Sequence, residues 1–131
     1  MKKVLSVLLT VILVCSIGVI GAQAASYDPD RTAWCLIYKN NPYSDTKVVY
    51  GTDKYFGGRN TYLSDYELVI TPLYYSAKDN QYIVDHYACL AINSALYSTH
   101  TNKRAASNWK TRIRPYGHSS GCDGGGFIWY T

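Results

Sequence analysis

From Trp109 to Arg114 the chain reads WKTRIR, with Trp109, Thr111 and Ile113 alternating with Lys110, Arg112 and Arg114. Side chains two apart share one face of a strand, so this pattern predicts a strand with one apolar and one basic face. A helical stripe through Ala106, Trp109 and Ile113, ended by Pro115, is the competing reading of residues 94–114. Trp, Thr and Ile favour the strand.

The rest of the chain carries the same message. All 14 tyrosines lie beyond residue 24, and glutamate occurs once, as Glu67. Thr32–Tyr38 (TAWCLIY) and Thr46–Tyr50 (TKVVY) are strand-like runs closed by turn residues at Asn40–Pro42 and Gly51–Asp53. Gly57–Asn60 (GGRN) reads as a further turn. Tyr66–Tyr75 (YELVITPLYY) contains Pro72, whose missing amide hydrogen predicts an edge strand or a bulge. Tyr82–Ile92 (YIVDHYACLAI) reads as a central strand. Ser119–Gly126 (SSGCDGGG) reads as a glycine-dense loop before a last strand, Phe127–Tyr130 (FIWY). Short strands at this spacing predict an all-β fold, a small antiparallel β-sandwich.

Lys2 and Lys3, the apolar run from Val4 to Ile20 and the small residues of Ala22-Gln23-Ala24 form the three-part pattern of a secretory signal peptide. Residues 1–24 are therefore expected to be removed, leaving one secreted domain, residues 25–131, with no integral membrane segment. Removing Lys2 and Lys3 from the 13 basic residues leaves 11 against 9 acidic ones, a net charge of +2. So small an excess gives no general reason to hold nucleic acid, which needs several phosphate contacts.

Export makes a disulfide among Cys35, Cys89 and Cys122 plausible, with any of the three pairings open and one thiol left over. A spare Cys122 in its glycine-rich loop would leave room for a disulfide-linked homodimer. No pair has C-x-x-C spacing and the three histidines are not at ligand spacing, so neither metal nor cofactor is expected.

Gly117–Gly121 (GHSSG) fits the G-x-S-x-G pattern of a nucleophile elbow. That motif needs a helix after the serine and a histidine further on. Here glycines follow Ser119 and no histidine does, so GHSSG is read as a loop and no catalytic residue is assigned. Asp85 and His86 adjoin on a predicted strand and should face opposite ways. Glu67, His86 and Arg112 are the residue types a small secreted nuclease would use, but nothing in their spacing joins them.

Lys103, Arg104, Lys110, Arg112 and Arg114 form the densest cation cluster, with no acid between them. On one strand face such residues could grip an anionic ligand; a solvated, aggregation-resistant edge is the alternative.

HYACLAIN (His86–Asn93), RAASNWKT (Arg104–Thr111) and FIWY resemble the lactococcin-type bacteriocins, over the C-terminal part of the chain. The resemblance implies a small secreted β-sandwich of Gram-positive bacteria, non-enzymatic and toxic to related cells. Its partner would be a cell-envelope component, an anionic lipid-linked cell-wall precursor. A non-toxic surface or structural module is the competing expectation.

Overall fold

The structure is a computed structural model and describes residues 31–130; the expected signal peptide and its expected cleavage after Ala24 lie outside them. Ten strands follow in order: β1 (Thr32–Ile37), β2 (Ser44–Asp45), β3 (Val49–Gly51), β4 (Lys54–Asn60), β5 (Leu68–Ser76), β6 (Gln81–Val84), β7 (Ala88–Leu90), β8 (Ser94–His100), β9 (Ser107–Pro115) and β10 (Gly124–Tyr130). The protein is all-β. One sheet has the order β1-β10-β4-β8; the other runs β2-β9-β5-β6, with β3 also pairing with β9 and β7 with β5. Every pairing is antiparallel.

Two-residue alternation builds the core between the sheets. Ala33, Cys35 and Ile37 of β1 are buried while Trp34 and Leu36 are exposed. On β9, Trp109, Thr111 and Ile113 are fully buried, as the alternation of WKTRIR requires. Cys35, Ile37, Phe56, Leu68, Ile70 and Ile113 form the larger cluster, and Ala33, Trp109 and Ile128 a second one. Each large side chain withdrawn from water contributes about 1.5–3 kcal/mol.

Four expectations change. Gly57–Asn60 is strand, the end of β4, and Gly124–Gly126 opens β10. These glycines sit where the sheets come closest: a Cβ on Gly126 would lie 2.5 Å from Ile113 Cγ2, and one on Gly58 2.7 Å from Ile70 Cδ1. Secondly, β5 is central rather than an edge. Pro72 falls between the stretches of β5 paired with β6 and with β7. Its carbonyl accepts Asp85 N–H at 3.0 Å on that side, so the missing amide hydrogen faces a gap in the ladder.

Thirdly, Tyr82–Ile92 is no central strand but a broken outer one, β6 and β7, interrupted at residues 85–87, where the Asp85 side chain is drawn to the β8–β9 loop. Its carboxylate accepts the backbone N–H groups of Asn102 (2.6 Å) and Lys103 (2.7 Å), and His86 Nδ1–H at 2.6 Å. Asp85 and His86 therefore do meet, where the chain runs between β6 and β7.

Fourthly, Cys35, Cys89 and Cys122 are free thiols. Cys35 points into the core and Cys122 is buried against the carbonyls of Tyr66 and Glu67. Cys89 pairs with Val69 on the outward side of its sheet, out of reach of both. The solvent-exposed thiol is Cys89, not Cys122. Burial pushes the Cys35 thiol up to about 11, which keeps it protonated and unreactive at neutral pH.

Candidate functional site

The five predicted binding cations are divided by the fold. Lys110, Arg112 and Arg114 share the outward face of the β9 sheet, paired in register with Leu73, Thr71 and Val69. Lys103 and Arg104 lie in the β8–β9 loop; Lys103 covers the ring of Tyr74, 3.9 Å from its centroid, and Arg104 is exposed.

A carboxylate that sequence reasoning missed closes the outward face. Asp45, on β2, pairs in register with Arg112. It accepts Arg112 Nε at 2.7 Å and Nη2 at 2.8 Å, and Lys110 Nζ at 2.8 Å. Arg112 also lies over the Tyr43 ring and Lys110 over the Tyr82 ring. The cation stems shield Val69, Thr71 and Leu73, all nearly buried despite facing outward. The guanidinium fork that would take an anionic ligand is thus filled from within the chain; Arg114 remains exposed.

Burial alone would raise the Asp45 pKa, but the hydrogen bonds and charges of Arg112 and Lys110 outweigh it and hold the carboxyl below its ordinary value. A depressed carboxylate contributes stability that is present above its unfolded pKa and lost as pH falls through the folded one. Asp45→Asn is expected to lower stability at neutral pH by about 1–2 kcal/mol, solvent screening at half-exposed Arg112 limiting the effect. It should also flatten the acid limb below the carboxylate range, which urea unfolding across pH would measure.

The opposite outer face, on the β1-β10-β4-β8 sheet, has another character. Trp129, Tyr55 and His100 form one cross-strand row; Tyr55 stacks on Trp129 at 4.4 Å and meets His100 edge-on at 3.9 Å. The next row sets Trp34 beside Phe127, 5.1 Å apart, with Gly57 beyond. A Cβ on Gly57 would lie 2.5 Å from Phe127 Cζ, so the phenyl ring takes the space a side chain there would need. The third row is Leu36, Gly125 and Arg59.

Between these rows lies an apolar cleft of about 260 Å³, floored by Gly125 and walled by Trp34, Leu36, Tyr38 and Phe127, with Arg59, Thr61 and Asp123 on its rim. Thr61 Oγ1 donates to Asp123 Oδ1 at 2.8 Å, and Asp123 N–H donates to Ser64 Oγ at 2.7 Å, so the rim carboxylate is held in place. Leu36 and Tyr38 are each 58% exposed and Trp34 45%. Three such side chains facing water, Trp34 and Leu36 on β1 and Tyr38 just past its end, form a patch that a folded chain ordinarily hides or uses. The sequence signal was there: TAWCLIY is apolar on both faces, one more than a core needs.

The GHSSG stretch lies in the β9–β10 loop, as read from its glycines. Gly121 N–H donates to Lys39 O and Gly121 O accepts Asp65 N–H, each at 2.8 Å; His118 stacks on Tyr66. With Lys39, which pairs with Asp65 at 2.8 Å, and exposed Ser119 these residues line a polar hollow at the same end of the sandwich as the Asp123 rim. The suggested nuclease trio is not gathered: Arg112 is held by Asp45 and His86 by Asp85. Among the described residues no group of three or more His, Cys, Asp or Glu converges as metal ligands would.

No family model matches the chain, and no curated protein does. Among solved structures it is similar to PirA (TM-score 0.50, 12% identity, covering 82% of this chain and 99% of that one). It is also similar to a family 16 carbohydrate-binding module (TM-score 0.39, 11% identity, 82% and 78% covered). A third is the Yersinia pseudotuberculosis-derived mitogen (TM-score 0.36, 12% identity, 74% and 72% covered). At such identities the likeness is one of fold alone.

Proposed function

We propose that residues 25–131 act outside the cell as a non-enzymatic β-sandwich that binds a component of the bacterial cell envelope. In this reading the chain is a lactococcin-type bacteriocin, an inhibitor of related Gram-positive bacteria whose target is a lipid-linked cell-wall precursor. One observation supports it above the rest: the exposed Trp34-Leu36-Tyr38 line around the Gly125 floor, with Arg59 and Asp123 on its rim. An apolar surface with a few convergent polar groups is the usual form of a binding site. The basic β9 face is a weaker candidate, because Asp45 already occupies Arg112 and Lys110. Cys89 is the thiol that a covalent dimer would use.

The test is to incubate protein exported from a Gram-positive host with envelope fractions of related strains, and to spot it on their lawns. Co-sedimentation with the envelopes and zones of inhibition are expected. Co-sedimentation without inhibition would favour a non-toxic surface module, and no sedimentation would overturn the proposal.

A further inference from the structure

The geometry points to a neutral oligosaccharide as the ligand of the Gly125 cleft, an inference that rests on the binding role proposed above and gives it a substrate class. The floor and walls supply what the C–H face of a pyranose ring seeks. Trp34 is half exposed with Phe127 propping its ring, Leu36 and Tyr38 lie on the same side, and Gly125 between Leu36 and Arg59 adds no side chain to lift a flat ligand off the backbone. Aromatic rings presented this way supply contact area at little conformational cost.

The rim supplies what ring hydroxyls seek. Arg59 offers donors in a fixed fork, and Asp123 offers acceptors. Its carboxylate is already oriented by Thr61 Oγ1 and its backbone by Ser64 Oγ. One cation and one anion on the rim leave no net local charge, which suits the uncharged sugar part of an envelope component rather than its phosphates.

Size and shape exclude other occupants. At about 260 Å³ the cleft falls below the roughly 300–1,000 Å³ of pockets that engulf a small molecule, so a ligand would lie along it rather than inside it. A lipid tail would bury Arg59 and Asp123 without giving either a hydrogen-bond partner. Trp34 and Tyr38 are four residues apart along an extended backbone, about 13 Å. A ligand touching both rings spans more than one sugar ring.

The experiment titrates the purified protein with tetrasaccharides of glucose, of xylose and of N-acetylglucosamine, followed by tryptophan fluorescence and calorimetry. At least one is expected to bind, with an affinity unchanged by added salt because the ligand carries no charge. Trp34→Ala and Tyr38→Ala are each expected to weaken binding about tenfold, the loss of one stacking contact; both side chains are exposed, so the fold should persist. Arg59→Ala should weaken it as well. Failure of all three sugars to bind, or binding that survives both aromatic substitutions, overturns the inference. Envelope sedimentation of the same samples separates the two claims. Envelope binding without sugar binding sinks the saccharide assignment and leaves the binding role standing. Sugar binding without envelope binding does the reverse.

Discussion

Replacing Gly58 by valine is expected to leave little folded protein. Gly58 lies in β4, opposite Gly126 of β10, and its missing side chain is where the two sheets close on each other. A Cβ there would lie 2.3 Å from Gly125 O and 2.7 Å from Ile70 Cδ1. The first contact is backbone and cannot rotate away; the second is core. Valine would add two methyl groups beyond that Cβ. Overpacking usually costs about 1–3 kcal/mol where neighbours can shift. Here the Gly125 carbonyl cannot, so a loss above about 3 kcal/mol is expected, a large part of the roughly 5–15 kcal/mol that holds a domain together. Gly117→Ala is the control. It also removes a glycine, but nothing lies within 4 Å of its Cβ position and only its φ of +68° resists, for about 1–2 kcal/mol. Urea unfolding followed by circular dichroism would rank the two; near-equal losses would show that sheet contact is not what requires Gly58.

The same glycines mark where the sequence could be read and where it could not. Alternation in WKTRIR reports local geometry, because side-chain direction depends only on position along the strand. WKTRIR became part of β9 with its expected faces, and TAWCLIY became β1 and the residue after it. Glycine carries two meanings that look alike in a sequence: freedom at positive φ, and room for a close neighbour. Gly117 and Gly121 have the first meaning, with φ of +68° and +111°, and lie in the predicted loop. Gly57, Gly58, Gly124, Gly125 and Gly126 have the second, and the neighbour is another strand or the other sheet. No inspection of GGRN or GGG could supply that.

The candidate sites divide in the same way. The basic residues of β9 were legible as a face. Their neutralisation was not, because Asp45 stands 65 and 67 residues before Lys110 and Arg112 and meets them only once β2 docks on β9. Asp85 gave the opposite error: a strand that looked continuous by composition is interrupted where one carboxylate bonds Asn102 and Lys103. The Gly125 cleft joins β1, β4 and β10, and its only local trace was the surplus of apolar residues in TAWCLIY. A surplus shows that a second face must be covered or used, without saying by what.

Trp109→Ala should be the most damaging single truncation of the core, and its effect should extend to the cleft. Trp109 is fully buried, clustered with Ala33 and Ile128, with Val49 and Tyr74 packed against that group and the Tyr74 ring 5.4 Å away. Removing an indole from such a site loses its burial and leaves a cavity that small neighbours such as Ala33 cannot fill, for about 3–5 kcal/mol. Ala33 and Ile128 are the chain neighbours of Trp34 and Phe127, which wall the cleft from the other side of the same strands. With the indole gone, β1 and β10 lose what fixes them from behind, and the Trp34–Phe127 spacing of 5.1 Å loses its support. Two losses are expected: a lower unfolding midpoint, and weaker ligand binding at temperatures where the variant is still folded. Trp109→Phe, which keeps most of the volume, should restore much of both. A variant that loses stability but keeps full binding would show that β1 and β10 hold the cleft without help from the core behind them.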